Sequence, residues 1–238
     1  MSKYLKPIKL ICYENCENAE NVLNDFPVQA ILTNNNNRVY SKIKNNGFLL
    51  LDFGREINGG ICITVNNVDN NDAQFNITFG ESVSEALSEN GIKNADNYHS
   101  IRSYRVPAKF LSTQNIGDIG FRFVKVSAIN SDIEISAVKA VKNYYEEEYK
   151  GSFECDDELI NEIWKVGAYT VQLNMNDYFW DGIKRDRLVW IGDMHPETST
   201  IGVVYGKSEC VGNSLDLIKS ETPSDKWMNG YPSYTLWW

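Results

Sequence analysis

Residues 178–197, YFWDGIKRDRLVWIGDMHPE, bring together side chains that could do chemistry. Acidic, basic, aromatic and imidazole groups alternate there: Trp180, Asp181, Lys184, Arg185, Asp186, Arg187, Trp190, Asp193, His195 and Glu197. Hydrolysis of a glycosidic bond uses two carboxyl groups across the scissile bond. Indole rings can stack on a sugar, and Asp and Arg side chains can bind its hydroxyls. The segment is therefore a candidate sugar site, with a salt-bridged connector as the alternative.

The charges of this segment do not follow the pattern of a surface helix. Opposite charges recur at i,i+4 on such a helix, and Asp181 and Arg185 form one such pair. The pattern then stops, because Asp186 is followed four residues later by Trp190. Two glycines also interrupt the segment, Gly182 and Gly192. The sequence therefore predicts an irregular loop between two helices, and such loops often carry function.

The chain before this loop has the pattern of β-strands. Between residues 27 and 140, short β-branched and aromatic runs are separated by Asn, Asp and Gly turns. Two runs place alternate side chains on one face: Phe75, Ile77 and Phe79, and Phe121, Phe123 and Lys125. About seven or eight such strands, without an amphipathic helix between them, predict an antiparallel β-sandwich that is jelly-roll-like.

From about residue 152 the apolar residues recur at helical spacing. The first stripe comprises Leu159, Ile160, Ile163, Trp164, Val166 and Thr170. It predicts an amphipathic helix with Asp156 as its N-cap. Further helices are predicted at about 196–205 and 208–221, and a final one with Ser233 as N-cap.

These patterns predict a multidomain protein in which a β domain precedes an α domain. Residues 1–142 are interpreted as the β-sandwich domain with an N-terminal extension, 143–151 as an acidic linker, and 152–238 as the start of a helical domain. The sequence stops on Trp237 and Trp238, an apolar end that soluble proteins usually avoid. We therefore expect a fragment of a longer protein.

Composition narrows the classes of partner. The chain has 238 residues, is 42% hydrophobic and has a formal net charge of −9, which fits a globular protein. Nucleic acid is not an expected partner, because neutralising phosphates takes clustered Lys and Arg. The oligomeric state leaves no trace in the sequence.

The N-terminal residues predict a cytoplasmic protein. Their apolar run is shorter than the roughly 7–15 residues of a signal peptide. No apolar run approaches the roughly 20 residues of a membrane span, so no membrane association is expected. The five cysteines are mostly isolated and are expected to be reduced thiols. No cofactor or metal is expected, since no Cys/His cluster completes a metal site.

The block from Asp181 to Asp193, DGIKRDRLVWIGD, resembles the signature of the α-L-rhamnosidases, which usually reads Asp-x-x-x-Arg-Glu-Arg-Leu-Gly-Trp-x-Gly-Asp. The matching residues are Asp181, Arg185, Arg187, Leu188, Trp190, Gly192 and Asp193. Three other stretches are similar to segments of that family: DFGREINGG at 52–60, GFRFVKV at 120–126 and GSFECDDELINEIW at 151–164.

The resemblance implies a catalytic toroid of six helical hairpins preceded by β-sandwich domains. It implies removal of terminal α-L-rhamnose, by inversion, from a rhamnose-containing oligosaccharide or glycoside. The family's general acid corresponds to Asp186, and its general base would lie beyond residue 238. The ligands of the sugar hydroxyls correspond to Asp181, Arg185 and Asp193, and Trp190 to a wall of the subsite.

The remaining positions of the block leave alternatives open. Arg187 either contacts the sugar, orients Asp186 or holds the loop as part of a buried pair. His195 is a possible site residue, although a histidine before a proline at a helix start more often packs or caps the helix. Glu197 either favours the helix dipole or is a reserve acid.

Two departures from the family pattern widen the functional alternatives. The family has glutamate where this chain has Asp186, and glycine where it has Val189. The shorter carboxyl would retract by roughly 1 Å, and proton delivery depends on hydrogen-bond reach. The acid could instead be Asp193 or Glu197. The protein could also be a non-catalytic carbohydrate-binding protein, or a toroid hydrolase for another sugar.

Overall fold

The structure, a computed structural model, describes residues 4–31, 39–88, 102–144 and 148–238. Two compact units divide the chain, Met1–Asn143 and Tyr144–Trp238. The first unit is built from strands and the second from helices.

The described part of the first unit contains seven strands in one antiparallel sheet. They are β1 (Tyr4–Leu5), β2 (Lys9–Glu17), β3 (Ser41–Val68), β4 (Gln74–Gly80), β5 (Ser103–Pro107), β6 (Ser112–Ile129) and β7 (Ile133–Lys142). A 3-10 turn, Ala19–Leu23, and a short helix α1, Val83–Leu87, lie between strands. The order is β1-β7-β3-β6-β4-β5, with β2 paired to β3. The predicted antiparallel β-sandwich is confirmed.

Strands β3 and β6 pair with each other over much of the sheet, and the direction of both strands changes at the same point. Their register shifts between Asp52 and Ile57, where Gly54 adopts a φ of 83°. Before this point β3 pairs with β2 over residues 42–52 and with β7 at residues 41–43, and after it β3 pairs with β7 over residues 59–68. A bulge of this kind bends a strand, so one strand can serve two layers.

An ion pair holds this bend. Asp52 Oδ1 accepts from Arg122 Nε at 2.8 Å, and Asp52 Oδ2 accepts from Arg122 Nη2 at 2.9 Å. The Gly54 amide donates to Asp52 Oδ1 at 2.6 Å. The hydrogen bond from Arg122 is the main cause that lowers the pKa of Asp52. The pair therefore joins two of the stretches that are similar to the rhamnosidase family, 52–60 and 120–126.

The sheet core contains the side chains predicted to share one face in β4. Phe75, Ile77 and Phe79 are fully buried, and Phe79 packs edge-to-face against Phe121 with ring centroids 4.9 Å apart. This prediction is confirmed.

The half-buried pattern predicted for β6 is wrong. Phe121 and Phe123 are buried as predicted, but Val124 and Val126 on the opposite face are buried as well. The reason is that α1 covers the face of Phe123, which packs in one cluster with Ala86. Lys125 is only partly buried, with its Nζ 4.6 Å from the centroid of the Phe48 ring.

The described second unit has four α-helices. They are α2 (Glu158–Asn174), α3 (Met194–Val204), α4 (Glu209–Glu221) and α5 (Pro232–Trp237), with a 3-10 turn at Met228–Gly230 before α5. The predicted helices are present, but two predicted caps are wrong. Asp157, not Asp156, caps α2, because its Oδ1 accepts from the amides of Leu159 and Ile160. Helix α5 starts one residue before Ser233, with Pro232 in its first turn.

The face that α2 buries also differs from the predicted stripe. Leu159, Ile163 and Val166 are 68%, 60% and 62% exposed. The helix instead buries Ala168 and Leu173, with Tyr205 Oη donating to the Ala168 carbonyl at 2.6 Å. The apolar residues of α2 extend around more than one face, so periodicity could not select the face that packs on α3.

Candidate functional site

The segment that joins α2 to α3, residues 175–193, is an irregular loop, as predicted. Phe179, Val189 and Ile191 anchor it, because their side chains are buried in the core of the second unit. The Phe179 amide also donates to Ser214 Oγ on α4 at 2.8 Å. The polar residues of the segment are therefore carried by a loop that is fixed at both ends.

Asp181 closes the first half of the loop. Its amide donates to the Leu188 carbonyl at 3.0 Å, and its Oδ1 accepts from the Leu188 amide at 3.0 Å. Burial raises the pKa of this carboxyl, the Leu188 hydrogen bond opposes the shift, and the charge of Asp186 adds to it. Asp181 thus has a structural role beside any contact with a ligand.

Arg185 and Asp186 lie within this closed loop and contact each other. Arg185 Nη2 is 3.4 Å from Asp186 Oδ2, and the Asp186 side chain is 21% exposed. Asp186 is therefore partly shielded but accessible to solvent, while Arg185 is exposed.

Arg187 turns inward against an aromatic ring. Its guanidinium carbon lies 4.4 Å from the centroid of the Trp180 ring, a cation–π contact. Its φ of 54° is uncommon for a residue with a side chain and costs roughly 1–3 kcal/mol. Because Arg187 covers one face of Trp180, that face is not open to a sugar. Of the roles left open by the sequence, this geometry favours holding the loop.

Trp190 lies on the second half of the loop, among aromatic residues that the sequence analysis did not connect with it. Its ring is 6.4 Å from that of Tyr231 and 6.2 Å from that of Tyr234, centroid to centroid. Val189, where the family has glycine, points into the core. The ring of Trp190 is half-buried and forms part of an aromatic wall.

Asn229 was also missed by the sequence analysis. Its Oδ1 accepts from the Ile191 amide at 3.0 Å, and its Nδ2 donates to the Val189 carbonyl at 3.1 Å. The side-chain amide of Asn229 therefore binds the backbone of both residues that flank Trp190. The Asn-Gly pair at 229–230 signalled a turn, but nothing in the sequence showed which segment the turn contacts.

Asp193 lies directly before α3 and is exposed. Both of its carboxylate oxygens are 3.3 Å from Tyr234 Oη, which donates to them. The Tyr234 ring covers Gly192 so closely that a Cβ there would lie 2.1 Å from Cδ1 of the ring. Glycine at 192 is therefore required by this contact.

Glu197 is half-buried in the first turn of α3. Burial and then the charges of Asp193 and Asp181 raise its pKa to about 7. His195 is exposed, and its ring lies 4.5 Å from that of Trp237. The charges of the two aspartates thus act on the carboxyl of Glu197, whereas the His195 ring packs against α5.

Within the described ranges, no three His, Cys, Asp or Glu side chains are arranged to hold a metal ion. In the same part of the chain, no helix has both the length and the apolar character that crossing a membrane requires.

Carboxylates, arginines and an indole on one anchored loop, in a chain that joins a β-sandwich to a helical unit, fit the class of glycoside hydrolases. Residues 148–238 match the family described as the bacterial alpha-L-rhamnosidase 6 hairpin glycosidase domain. This match includes the Asp181–Asp193 block, so the resemblance of that block to the α-L-rhamnosidases is confirmed.

Known relatives agree with this assignment. An alpha-L-rhamnosidase of Formosa agariphila is 30% identical over 76 residues, which are 32% of this chain and 8% of that protein. The GH78 family rhamnosidase of Bacillus sp. GL1 has a TM-score of 0.68 at 22% identity, over 92% of this chain and 23% of that one. The rhamnosidase from Klebsiella oxytoca, solved with rhamnose bound, has a TM-score of 0.70 at 18% identity, over 91% and 43%. The chain thus spans less than half the length of each relative.

Proposed function

We propose that residues 178–197 form one wall of the sugar site of a glycoside hydrolase that removes terminal α-L-rhamnose by inversion. The observation that carries this proposal is the closed loop from Asp181 to Asp193. It resembles the family's signature block, it is anchored in the core, and it holds Asp186 partly exposed beside Arg185. Its substrate would be a rhamnose-containing oligosaccharide or glycoside, in a cytoplasmic protein.

In this proposal Asp186 is the general acid that protonates the leaving oxygen. An inverting enzyme needs a second carboxylate to activate water on the opposite face of the sugar, roughly 6.5–9.5 Å away. We propose that a part of the protein outside these 238 residues supplies that base. The relatives, of which this chain spans less than half, support this arrangement.

Other residues of the loop would bind and orient the sugar. Asp181, Arg185 and Asp193 are proposed to bind hydroxyls, because charged side chains make strong hydrogen bonds to them. Trp190 is proposed as the apolar wall of the subsite. His195, at the exposed end of α3, would contact the sugar or its aglycone.

Glu197 is the second candidate for the acid. A general acid works best when its pKa lies near the working pH, and the pKa of Glu197 is raised to about 7. Its carboxyl feels the charges of Asp193 and Asp181, two other residues of the proposed site.

The proposal is tested with the full-length protein and a set of p-nitrophenyl glycosides that differ in the sugar. We expect the α-L-rhamnoside to be the preferred substrate, with β-L-rhamnose as the first product seen by proton NMR. Initial release of the α-anomer would contradict inversion. Preference for another sugar would instead support the alternative of a toroid hydrolase with a different substrate.

A non-catalytic carbohydrate-binding protein is the second candidate function. The aspartate at 186 favours it, because a side chain shorter by one methylene reaches the glycosidic oxygen less easily. Calorimetric titration of rhamnose into the full-length protein separates the two. Binding without turnover of any rhamnoside would support the binding function, and turnover would exclude it.

A further inference from the structure

The segment after α4 carries side chains that contact Trp190 and its two neighbours in the candidate site. Asn229 lies in this turn and makes two hydrogen bonds to the loop, to the Val189 carbonyl and to the Ile191 amide. Tyr231 and Tyr234, which follow in the chain, contact the ring of Trp190. One short segment thus contacts Trp190 through both its backbone neighbours and its ring.

The two hydrogen bonds fix the backbone direction on either side of Trp190. Val189 and Ile191 point into the core, whereas the ring of Trp190 stays partly exposed. Rotation of either peptide group would break a bond to Asn229 and leave a polar group without its partner, which costs stability. The amide therefore favours the one arrangement that keeps Trp190 at the surface of the site.

Asparagine suits this position for two reasons. Residue 229 has a φ of 51°, a left-handed conformation that asparagine tolerates better than most residues. Only a side-chain amide offers a donor and an acceptor at this length. The turn itself is fixed, because Met228 is buried and its amide donates to Thr235 Oγ1 at 3.0 Å.

We infer that Asn229 is a positioning residue that sets the orientation of Trp190 as a wall of the sugar site. It does not touch the sugar and acts only through the backbone at residues 189 and 191. For its effect on sugar binding, this inference rests on the proposed function.

The test is Asn229→Asp in the full-length protein. Aspartate keeps the size and the tolerance for a left-handed turn, but it removes the donor to the Val189 carbonyl. We expect KM for an α-L-rhamnoside to rise about tenfold with kcat changed by less than about threefold, as loss of one partly buried hydrogen bond implies. In a Trp190→Ala background the same change should have no further effect on KM. An unchanged KM would overturn the inference.

Asn213→Asp is the matched control. Asn213 Nδ2 donates to the Asp177 carbonyl at 3.0 Å, so this variant loses the same kind of bond at the other end of the same loop. We expect its KM to stay unchanged. If both variants raise KM equally, the effect is general loosening of the loop and the inference is wrong.

A second readout separates this inference from the proposed function. The contribution of Trp190 to near-ultraviolet circular dichroism is the difference between the unaltered protein and Trp190→Phe. We expect Asn229→Asp to lose at least half of that difference and Asn213→Asp to keep it. The expected loss of the Trp190 signal does not depend on whether the protein hydrolyses a rhamnoside. If Asn229→Asp keeps the Trp190 signal, the inference is overturned. Should Asn229→Asp not fold, Asn229→Gly removes the amide while accepting the left-handed turn, and the same outcomes apply.

Discussion

Two glutamates in the second unit occupy the first turn of a helix in different surroundings. Glu197 begins α3 beside Asp193 and is half-buried, whereas Glu209 begins α4 and is exposed. Burial, with the charges of Asp193 and Asp181, raises the pKa of Glu197 to about 7. At neutral pH this carboxyl is therefore both a proton donor and an acceptor.

This shift predicts a pH dependence of stability. The pKa of Glu197 is higher in the folded protein than in the unfolded chain, so the folded protein binds the extra proton. The stabilisation is complete below about pH 4.5 and is lost as the pH rises through about 7. We expect the free energy of unfolding to fall by about 1 kcal/mol over this range, after allowance for partial exposure.

Urea unfolding at pH 5 and pH 7.5 measures this loss. Glu197→Gln should remove the part of the pH dependence that comes from Glu197, while Glu209→Gln should leave it unchanged. Equal pH dependence in the unaltered protein and Glu197→Gln would show that the carboxyl titrates normally.

At the scale of elements, the loop and the turn before α5 depend on one another. The turn supplies Asn229 and α5 supplies Tyr234, while the loop supplies Trp190, Gly192 and Asp193. The position of the aromatic wall is thus set by contacts of the loop with both the turn and α5.

Gly192→Ala tests this contact. The new Cβ would lie 2.1 Å from the Tyr234 ring, so the ring must move away from Trp190 and Asp193. We expect a loss of about 1–3 kcal/mol in the free energy of unfolding and a weaker affinity for rhamnose. Gly202→Ala is the control, since a Cβ in that part of α3 meets nothing within 4 Å. It should be neutral or stabilise by roughly 0.5–1 kcal/mol, and equal destabilisation by both would contradict the contact.

The sequence predicted the elements better than their contacts. The loop was predictable because glycines and failed charge pairing are local signals, and β4 was predictable from its alternation. The buried face of α2 was not, because its apolar residues extend around more than one face. Asn229 could not be predicted, since it contacts residues about 40 positions away and only the folded chain brings them together.

At the scale of the whole molecule, the first unit carries two segments that resemble the rhamnosidase family, and their described contacts hold the fold. Asp52 and Arg122 come from two such segments and meet at the bend of β3. Their contact at the bend accounts for both residues, so no catalytic role is needed to explain them. The polar residues proposed for chemistry all lie in the second unit.

Asp52→Asn should weaken the bend, because the amide replaces one of two charge-assisted acceptors. We expect a loss of about 1–3 kcal/mol at pH 7. The pKa of Asp52 is lowered in the folded protein, so its contribution is present above about pH 4 and is lost as the pH falls below that value. The difference between Asp52→Asn and the unaltered protein should therefore shrink at pH 3. Asp72→Asn, at an exposed aspartate of the same unit, should change neither value.

The central claim is that Asp186 donates the proton to the leaving group in an α-L-rhamnosidase. It is tested most directly by the kcat of Asp186→Asn in the full-length protein on two α-L-rhamnosides, one with an alkyl and one with a 2,4-dinitrophenyl leaving group. Glu197→Gln is the comparison, and Asp216→Asn is the control at an exposed position of α4.

We predict that Asp186→Asn lowers kcat by about 10²–10⁴-fold on the alkyl rhamnoside and far less on the dinitrophenyl one, which leaves without a proton. Glu197→Gln and Asp216→Asn should not show this dependence on the leaving group. Retention of alkyl rhamnoside turnover by Asp186→Asn, or the same dependence in Glu197→Gln alone, would contradict the assignment of Asp186.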